Sequence, residues 1–365
     1  MTSETSPTRQ VSGPRQLAAP HGLRPHDVFW REHCEWLREK GYELRPRYKP
    51  GWSPSSSSQT TKTLERDFDE DRAMPGDILD ATRISDGRAV VLRKVSRHAD
   101  TQKLEVHQYL ATWPLVSHPK NHSVPILDIL RVPGEHKTVR ILVMPLLQPF
   151  HVPAMQTVGE AVDFLGQVFE GLQFMHSCNI AHRNCSDIGI MQDPEPLYPS
   201  VKRRRTSRVK RATRGSESTL RPVRYYLVDF GRSQKYQHGS RFHVASQVSV
   251  VSDAAAVGVD DPYATDIRCL GETISETFLE TMNGLEFLAP LVADMTKNDP
   301  AARPDMDAVV AIFRKLKGRL HWWKLRSRLV RKDEHGLPRI RRGVTHFLRM
   351  LGYIVARRPA VPSVT

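Results

Sequence analysis

Long apolar runs are missing from this chain: nowhere do about 18 apolar residues follow one another without charge, which argues against a membrane-spanning helix. The first 23 residues also lack an apolar stretch behind their basic residues, so no secretory signal is expected. Cysteine is scarce. The four present, Cys34, Cys178, Cys185 and Cys269, form no C-x-x-C pair, which excludes a dense disulfide framework, argues against structural zinc and suits free thiols in a reducing compartment. The expected location is intracellular, cytoplasmic or nuclear. Internal repeats of about 20–50 residues are absent too, which removes repeat architectures.

What the chain has in excess is positive charge. Its 365 residues carry a formal charge of +14. Much of that sits in two places: Lys202-Arg203-Arg204-Arg205 continuing through Arg208, Lys210, Arg211 and Arg214, and a second basic stretch over residues 315–342. Such blocks attract nucleic acid, anionic lipid or an import receptor, and the competing reading is a solvated disordered loop and tail. Residues 202–222 contain no aromatic side chain, which argues against stacking on bases.

The length allows one two-lobed domain or two domains with flexible ends. Residues 1–24, rich in Pro, Ser and Thr, read as disordered. Phe29, His33, Trp36 and Leu37 recur at helical spacing, with Gly41 as a stop, and the Ser-rich stretch after Trp52 reads as a flexible connection. Residues 77–95 read as two strands around the Asp86-Gly87 turn, followed by a polar helix over residues 101–112 with Leu104, Tyr109 and Leu110 inward. A strand over residues 139–144 ends at Pro145. Residues 157–178 form the strongest helical pattern, with Val162, Leu165, Val168, Phe169, Leu172 and Met175 on one apolar face. A basic insert over about residues 194–221 precedes a short strand at residues 225–228. Helices are expected over residues 273–282 and 285–295, and another starts at Pro304-Asp305 and buries Val309, Val310, Phe313 and Leu316. Near the end, residues 322–325 and 347–351 are apolar patches in basic surroundings that suit a membrane surface, with packing on the body favoured for Trp322 and Trp323.

One segment, Ala181-His182-Arg183-Asn184-Cys185-Ser186-Asp187-Ile188-Gly189, followed downstream by Asp229-Phe230-Gly231, resembles the catalytic core of protein kinases. The blocks Gly41-Tyr42-Glu43-Leu44-Arg45-Pro46-Arg47-Tyr48, Asp80-Ala81-Thr82-Arg83-Ile84-Ser85-Asp86-Gly87, Val143-Met144-Pro145-Leu146-Leu147, Phe169-Glu170-Gly171-Leu172-Gln173-Phe174-Met175-His176 and Asp299-Pro300-Ala301-Ala302-Arg303-Pro304 are similar to divergent fungal protein-kinase-like proteins. The resemblance implies an α+β, protein-kinase-like domain over residues 74–318. Its small β-rich N-lobe would cover about residues 74–147 and its mainly helical C-lobe about residues 148–318. An N-terminal helix and Ser-rich linker (residues 25–73) would precede it, and a basic extension (residues 319–365) would follow.

The same resemblance assigns roles. Asn184 stands at the general-base position, where an amide cannot take a proton, and Asp187 is the nearby acid that would substitute. Gly189 stands where a second magnesium ligand is expected, which leaves Asp229 as the metal carboxylate, so ATP and magnesium would be held weakly. Arg93 aligns with the phosphate-binding strand lysine; Lys94 would serve only in a bulged strand, since adjacent strand residues face opposite ways. Met144 and Leu146 complete the nucleotide-contacting set. Lys103 aligns with the helix acid that normally pairs with that lysine, Glu105 being the nearest acid. The phosphate-covering glycine loop is missing, with residues 79–82 in its turn region, and Ala-Pro-Glu is absent after Gly231. His182, Arg183, Asp266 and Arg303 take architectural roles. Four losses in one machine imply a pseudokinase that works through protein partners. The alternatives are an active atypical serine/threonine kinase using Lys94 or Arg93, Asp187 and Asp229, and a basic protein binding nucleic acid or anionic lipid through residues 202–214 and the C-terminal tail.

Overall fold

The computed structural model describes residues 25–50, 52, 76–96, 101–134, 139–197, 219, 221–237 and 261–362. The expectations of disorder over residues 1–24, a flexible Ser-rich connection, the basic run at residues 202–214 and the absent Ala-Pro-Glu region fall outside the described residues.

The chain is a mixed α+β protein, with its strands concentrated early and its helices late. The single helix expected near the N-terminus is two: α1 (Pro25–Glu32) and α2 (Cys34–Glu39). The break falls at His33, whose backbone leaves the helical region (φ −98°, ψ 9°) and whose ring lies 2.8 Å from the Phe29 carbonyl. Next comes β1 (Tyr42–Glu43), then β2 (Ile78–Arg83) and β3 (Ala89–Ser96). The Asp86-Gly87 turn joins β2 to β3 as the sequence suggests, with Gly87 at φ +71°, where a side chain would be strained. Residues 79–82 form regular strand rather than a turn, and they pair with residues 89–92.

The first helix after the sheet's hairpin is α3 (Thr101–Leu110). Strands β4 (Asp128–Arg131) and β5 (Val139–Pro145) then complete an antiparallel five-stranded sheet of order β1-β2-β3-β5-β4. The sheet curls far enough for its two edges to meet: Tyr42 Oη donates to Asp128 Oδ2 at 3.1 Å. One face of the sheet carries Val90, Leu92, Ile141 and Val143, and it is covered by Trp30, Leu37, Leu44 and Tyr48 from the N-terminal segment, all buried. The Tyr48 hydroxyl donates to Asp27 Oδ1 at 2.8 Å inside this cover, so its one polar atom is satisfied. The N-terminal segment and the sheet therefore share one core.

Beyond β6 (Gln148–Pro149), α4 (Val158–Ser177) is the centre of the second half. Its start is specified by Thr157, which accepts from the Glu160 backbone N–H, while Glu160 reaches back to the Gln156 N–H at 2.6 Å. Phe164, Leu165, Phe169 and Leu172 are buried, as the apolar periodicity demands. Short strands follow: β7 (Ile180–Ala181), β8 (Ile190–Gln192), β9 (Tyr225–Leu227) and β10 (Gln234–Lys235). β8 pairs with β6 and β9, and β7 pairs with β10.

The helix expected over residues 273–282 is displaced. Asp261 caps and Pro262 opens α5 (Pro262–Ile274), so Thr273 lies near its end, and a wider π turn, Ser275–Leu279, continues it. After β11 (Met282–Asn283) come α6 (Ala289–Met295) and α7 (Met306–Gly318), the latter capped by Asp305, which accepts from Ala308 N at 2.8 Å. Val309, Val310 and Phe313 are buried as expected, and Leu316 is half-buried. The chain ends in α8 (Trp322–Leu325), β12 (Val330–Arg331) and α9 (Gly336–Val355). Trp322 and Trp323 are each 60% exposed, against the expectation that they pack on the body. No helix among the described residues is long and apolar enough to cross a membrane.

Candidate functional site

The site is built on two loops that leave short strands, residues 182–189 after β7 and residues 228–233 after β9. What fixes the first loop is a single buried carboxylate. Asp266 on α5 is fully buried and accepts from the backbone N–H groups of His182 (2.7 Å) and Arg183 (2.5 Å), and its Oδ2 also meets His176 Nε2 at 3.0 Å. Arg183 sits at φ +60°, a conformation costly for any residue with a Cβ, and the Asp266 bond to its N–H is one of the contacts that compensates. His182 Nε2 lies 3.0 Å from the Val228 carbonyl, and Ser233 Oγ donates to the His182 carbonyl at 2.8 Å, which tie the two loops together.

Asp229 also takes a left-handed conformation, φ +57°. Its two oxygens are both engaged. Asn184 Nδ2 donates to Oδ2 at 3.0 Å, and Arg93 Nη1 from β3 lies 3.5 Å from Oδ1. The amide orientation follows from chemistry: a carboxylate can only accept, so Asn184 must present nitrogen to it, and its Oδ1 accepts from Ser186 Oγ at 3.2 Å. Arg93, Asn184 and Asp229 are thus brought together, with Ser186 as a fourth member.

Phe230 is held between two imidazoles, His107 from α3 at 4.7 Å and His182 at 5.5 Å between ring centres. Burial pushes the His107 imidazole down to about 4, and burial does the same for His122, also to about 4. His107 answers the Val124 carbonyl at 2.7 Å, and His122 the Tyr225 carbonyl at 2.9 Å. Each is therefore neutral when folded and protonates near 6.5 when unfolded. The unfolded chain binds more protons between those two values, so this stability is present above about pH 6.5 and is lost as pH falls toward 4. Each histidine contributes on the order of 3 kcal/mol to that loss. In urea unfolding at pH 7.5 and 5.5, His107→Gln is expected to lose less stability between the two pH values than the wild type. An equal loss in both proteins would remove His107 from the account.

Other residues named from the sequence are placed differently. Lys94 is not brought to Asp229; β3 is unbulged, and the Lys94 ammonium lies 3.8 Å from the centre of the Phe29 ring on the covered side. Asp187 opens a 3-10 turn, Asp187–Gly189, and is exposed, with no hydrogen bond or ion pair to the cluster among the described residues. Glu105 is exposed and does not meet Arg93, whose acid partner is Asp229 itself. Met144 and Leu146 are half-buried around the end of β5, Met144 opposite Val91 and Leu146 N bonded to the Ala89 carbonyl at 3.2 Å. Arg303 makes three bonds to backbone carbonyls, of Lys297 (2.7 Å), Ala264 (2.9 Å) and Asn298 (3.1 Å), and so staples α5 to the turn before α7.

Gly189 is more than a missing side chain. A Cβ built there would overlap the Asn184 carbonyl oxygen and approach its carbon to 3.1 Å. The loop closes so tightly that residue 189 has no room for any side chain.

The donor set is a poor fit for magnesium. It offers one carboxylate with a guanidinium on one oxygen and an amide N–H on the other, facing a glycine that cannot be elaborated, whereas magnesium demands near-octahedral oxygen ligands. No cluster of three or more His, Cys, Asp or Glu suited to a metal occurs among the described residues. A pocket of about 200 Å³ opens elsewhere, bounded by Leu110, His118, Asn121, Arg224 and Tyr226, and none of the residues around Asp229 line it.

Sequence reasoning missed His107, His176 and Ser186. The first was legible, since Leu104, His107 and Leu110 share one helical face; the other two carry no pattern of their own. No protein-family model matches the chain, and no curated protein matches it either.

Proposed function

We propose that the chain is a protein-kinase-like protein of the pseudokinase kind, with little or no phosphoryl transfer, acting by binding protein partners. In this reading the curled five-stranded sheet with α3 is the small lobe, the helical remainder is the large lobe, and the cleft between residues 93, 184 and 229 is the former reaction centre. The observation that carries it is the pairing at Asp229. Phosphoryl transfer depends on metal ions and positioned charge, and here the carboxylate that would hold a metal has the Arg93 guanidinium 3.5 Å from one oxygen and the Asn184 amide bonded to the other. Asn184 lacks the basicity to accept a hydroxyl proton, and Asp187, the acid that would take over, is exposed and has no hydrogen bond or ion pair to the cluster among the described residues. The Arg93–Asp229 contact then serves as an internal substitute for a metal bridge, holding the two lobes in one arrangement without a nucleotide.

Radiolabelled phosphate transfer from ATP, with magnesium or manganese, tests this on wild type and Asp229→Ala. Equal, background-level incorporation in both is the expected result. Incorporation by the wild type that disappears in Asp229→Ala would establish an active atypical kinase and overturn the proposal.

A further inference from the structure

The last helix, α9, packs on the body through one narrow face, where His346, Met350 and Tyr353 are buried. At 3.6 residues per turn, a second face lies on the far side of the helix, and this one is aliphatic and uncovered. Leu337 (81% exposed), Ile340 (63%), Val344 (56%), Phe347 (62%), Leu348 (63%) and Leu351 (45%) recur every three or four positions along it. A stripe of this size left in water is unusual for a protein surface and marks a contact surface.

Charge narrows what could cover it. From residue 335 to residue 365 the chain has no aspartate or glutamate, while Arg339, Arg341, Arg342, Arg349, Arg357 and Arg358 give six positive charges. Arg341 leaves the helix at the edge of the stripe and is exposed; Arg339, also exposed, projects on the side of His346 and Met350, and Arg342 lies 3.5 Å from Glu334. A second copy of the chain would bring the same arginines and no acids from this helix, so its charge opposes pairing. Nucleic acid would match the arginines but has no use for a stripe with a single aromatic ring. An anionic lipid surface answers both features, with acyl chains for the aliphatic residues and headgroup phosphates for Arg341 at the stripe's edge and for the positive charge of this end of the protein.

We propose that α9 docks the protein on anionic bilayer surfaces, lying in the plane of the interface. The anchored face opposes the stripe, so the body would be held away from the lipid. This inference is independent of the reading of the Asp229 cluster.

Co-sedimentation of the full chain with phosphatidylcholine vesicles, with and without phosphatidylserine, tests it. Wild type is expected to pellet with the phosphatidylserine vesicles, less so as salt rises, and to stay in solution with phosphatidylcholine alone. The triple variant Ile340→Ser, Phe347→Ser, Leu351→Ser, whose changes are all at exposed positions, is expected to bind at least tenfold more weakly while melting at the wild-type temperature. Deleting residues 202–214 is expected to leave most of the binding in place. Binding that survives the three serines but vanishes with that deletion overturns the proposal. So does a failure to bind phosphatidylserine vesicles, including the case in which light scattering shows a dimer that the serines dissociate.

Discussion

Asp266→Ala is expected to leave the protein largely unfolded at 25 °C, or soluble only with a transition shifted far to low urea. Three donors converge on this carboxylate, the His182 and Arg183 backbone N–H groups and the His176 ring, and the site is sealed from water. Removing the acceptor strands each of them, at about 1–3 kcal/mol apiece for a buried unsatisfied group. The Arg183 guanidinium also reaches Gln234 Oε1 at 3.4 Å, but without the Asp266 bond its backbone N–H loses the restraint on its left-handed conformation, so the loop carrying Asn184 would also lose its shape. Total stabilities of about 5–15 kcal/mol leave little margin for such a loss. Asp266→Asn should fall between, since one oxygen survives and its new NH2 faces a donor. Urea unfolding followed by tryptophan fluorescence is the measurement. An Asp266→Ala midpoint equal to wild type would mean that the two loops are held by other contacts.

Gly189→Asn is the change that would ordinarily be tried to rebuild a metal site, and it is expected to damage the loop instead. Both ends of the residue are pinned, its N–H to the Ser186 carbonyl at 3.0 Å and its carbonyl to the Val228 N–H at 2.9 Å. The new Cβ would push against the Asn184 carbonyl, a backbone atom that cannot rotate away. Overpacking of this kind costs roughly 1–3 kcal/mol, and rigid backbone on both sides puts this site at the upper end. Because Val228 precedes Asp229, the shift would also disturb the carboxylate. The double variant Asn184→Asp, Gly189→Asn is therefore expected to melt lower than Asn184→Asp alone and to transfer no phosphate. A double variant as stable as wild type, with magnesium-dependent transfer, would show that the loop accommodates the side chain.

Local patterns in the chain were readable where one principle dominated. The apolar face of α4, the Asp86-Gly87 turn, the strand over residues 139–144 and the capped start of α7 all follow from periodicity and capping chemistry. The Arg93, Asn184 and Asp229 assignments came from resemblance, and these three side chains meet. What could not be read was pairing over distance. That Lys94 and Arg93 face opposite ways follows from strand alternation, but that the Phe29 ring receives one and Asp229 the other is set by segments far away in sequence. Gly189 looked like an absent ligand because crowding by the Asn184 carbonyl is a property of the closed loop. The apolar residues after Thr273 do not mark the start of α5, which Asp261 and Pro262 set by capping. Hydrophobicity favours packing of Trp322 and Trp323 on the body over a membrane surface, but it does not specify where a residue lies, and both are exposed.

The cover that Trp30, Leu37 and Tyr48 form over the sheet bears on how the chain is born. Those residues leave the ribosome before the strands they cover, and the surface that receives them is finished only when β5 emerges. Until then the nascent segment must carry two large aromatic rings in water or lend them to a helper. Its fate in the cell thus turns on translation speed and chaperone access before any partner is met.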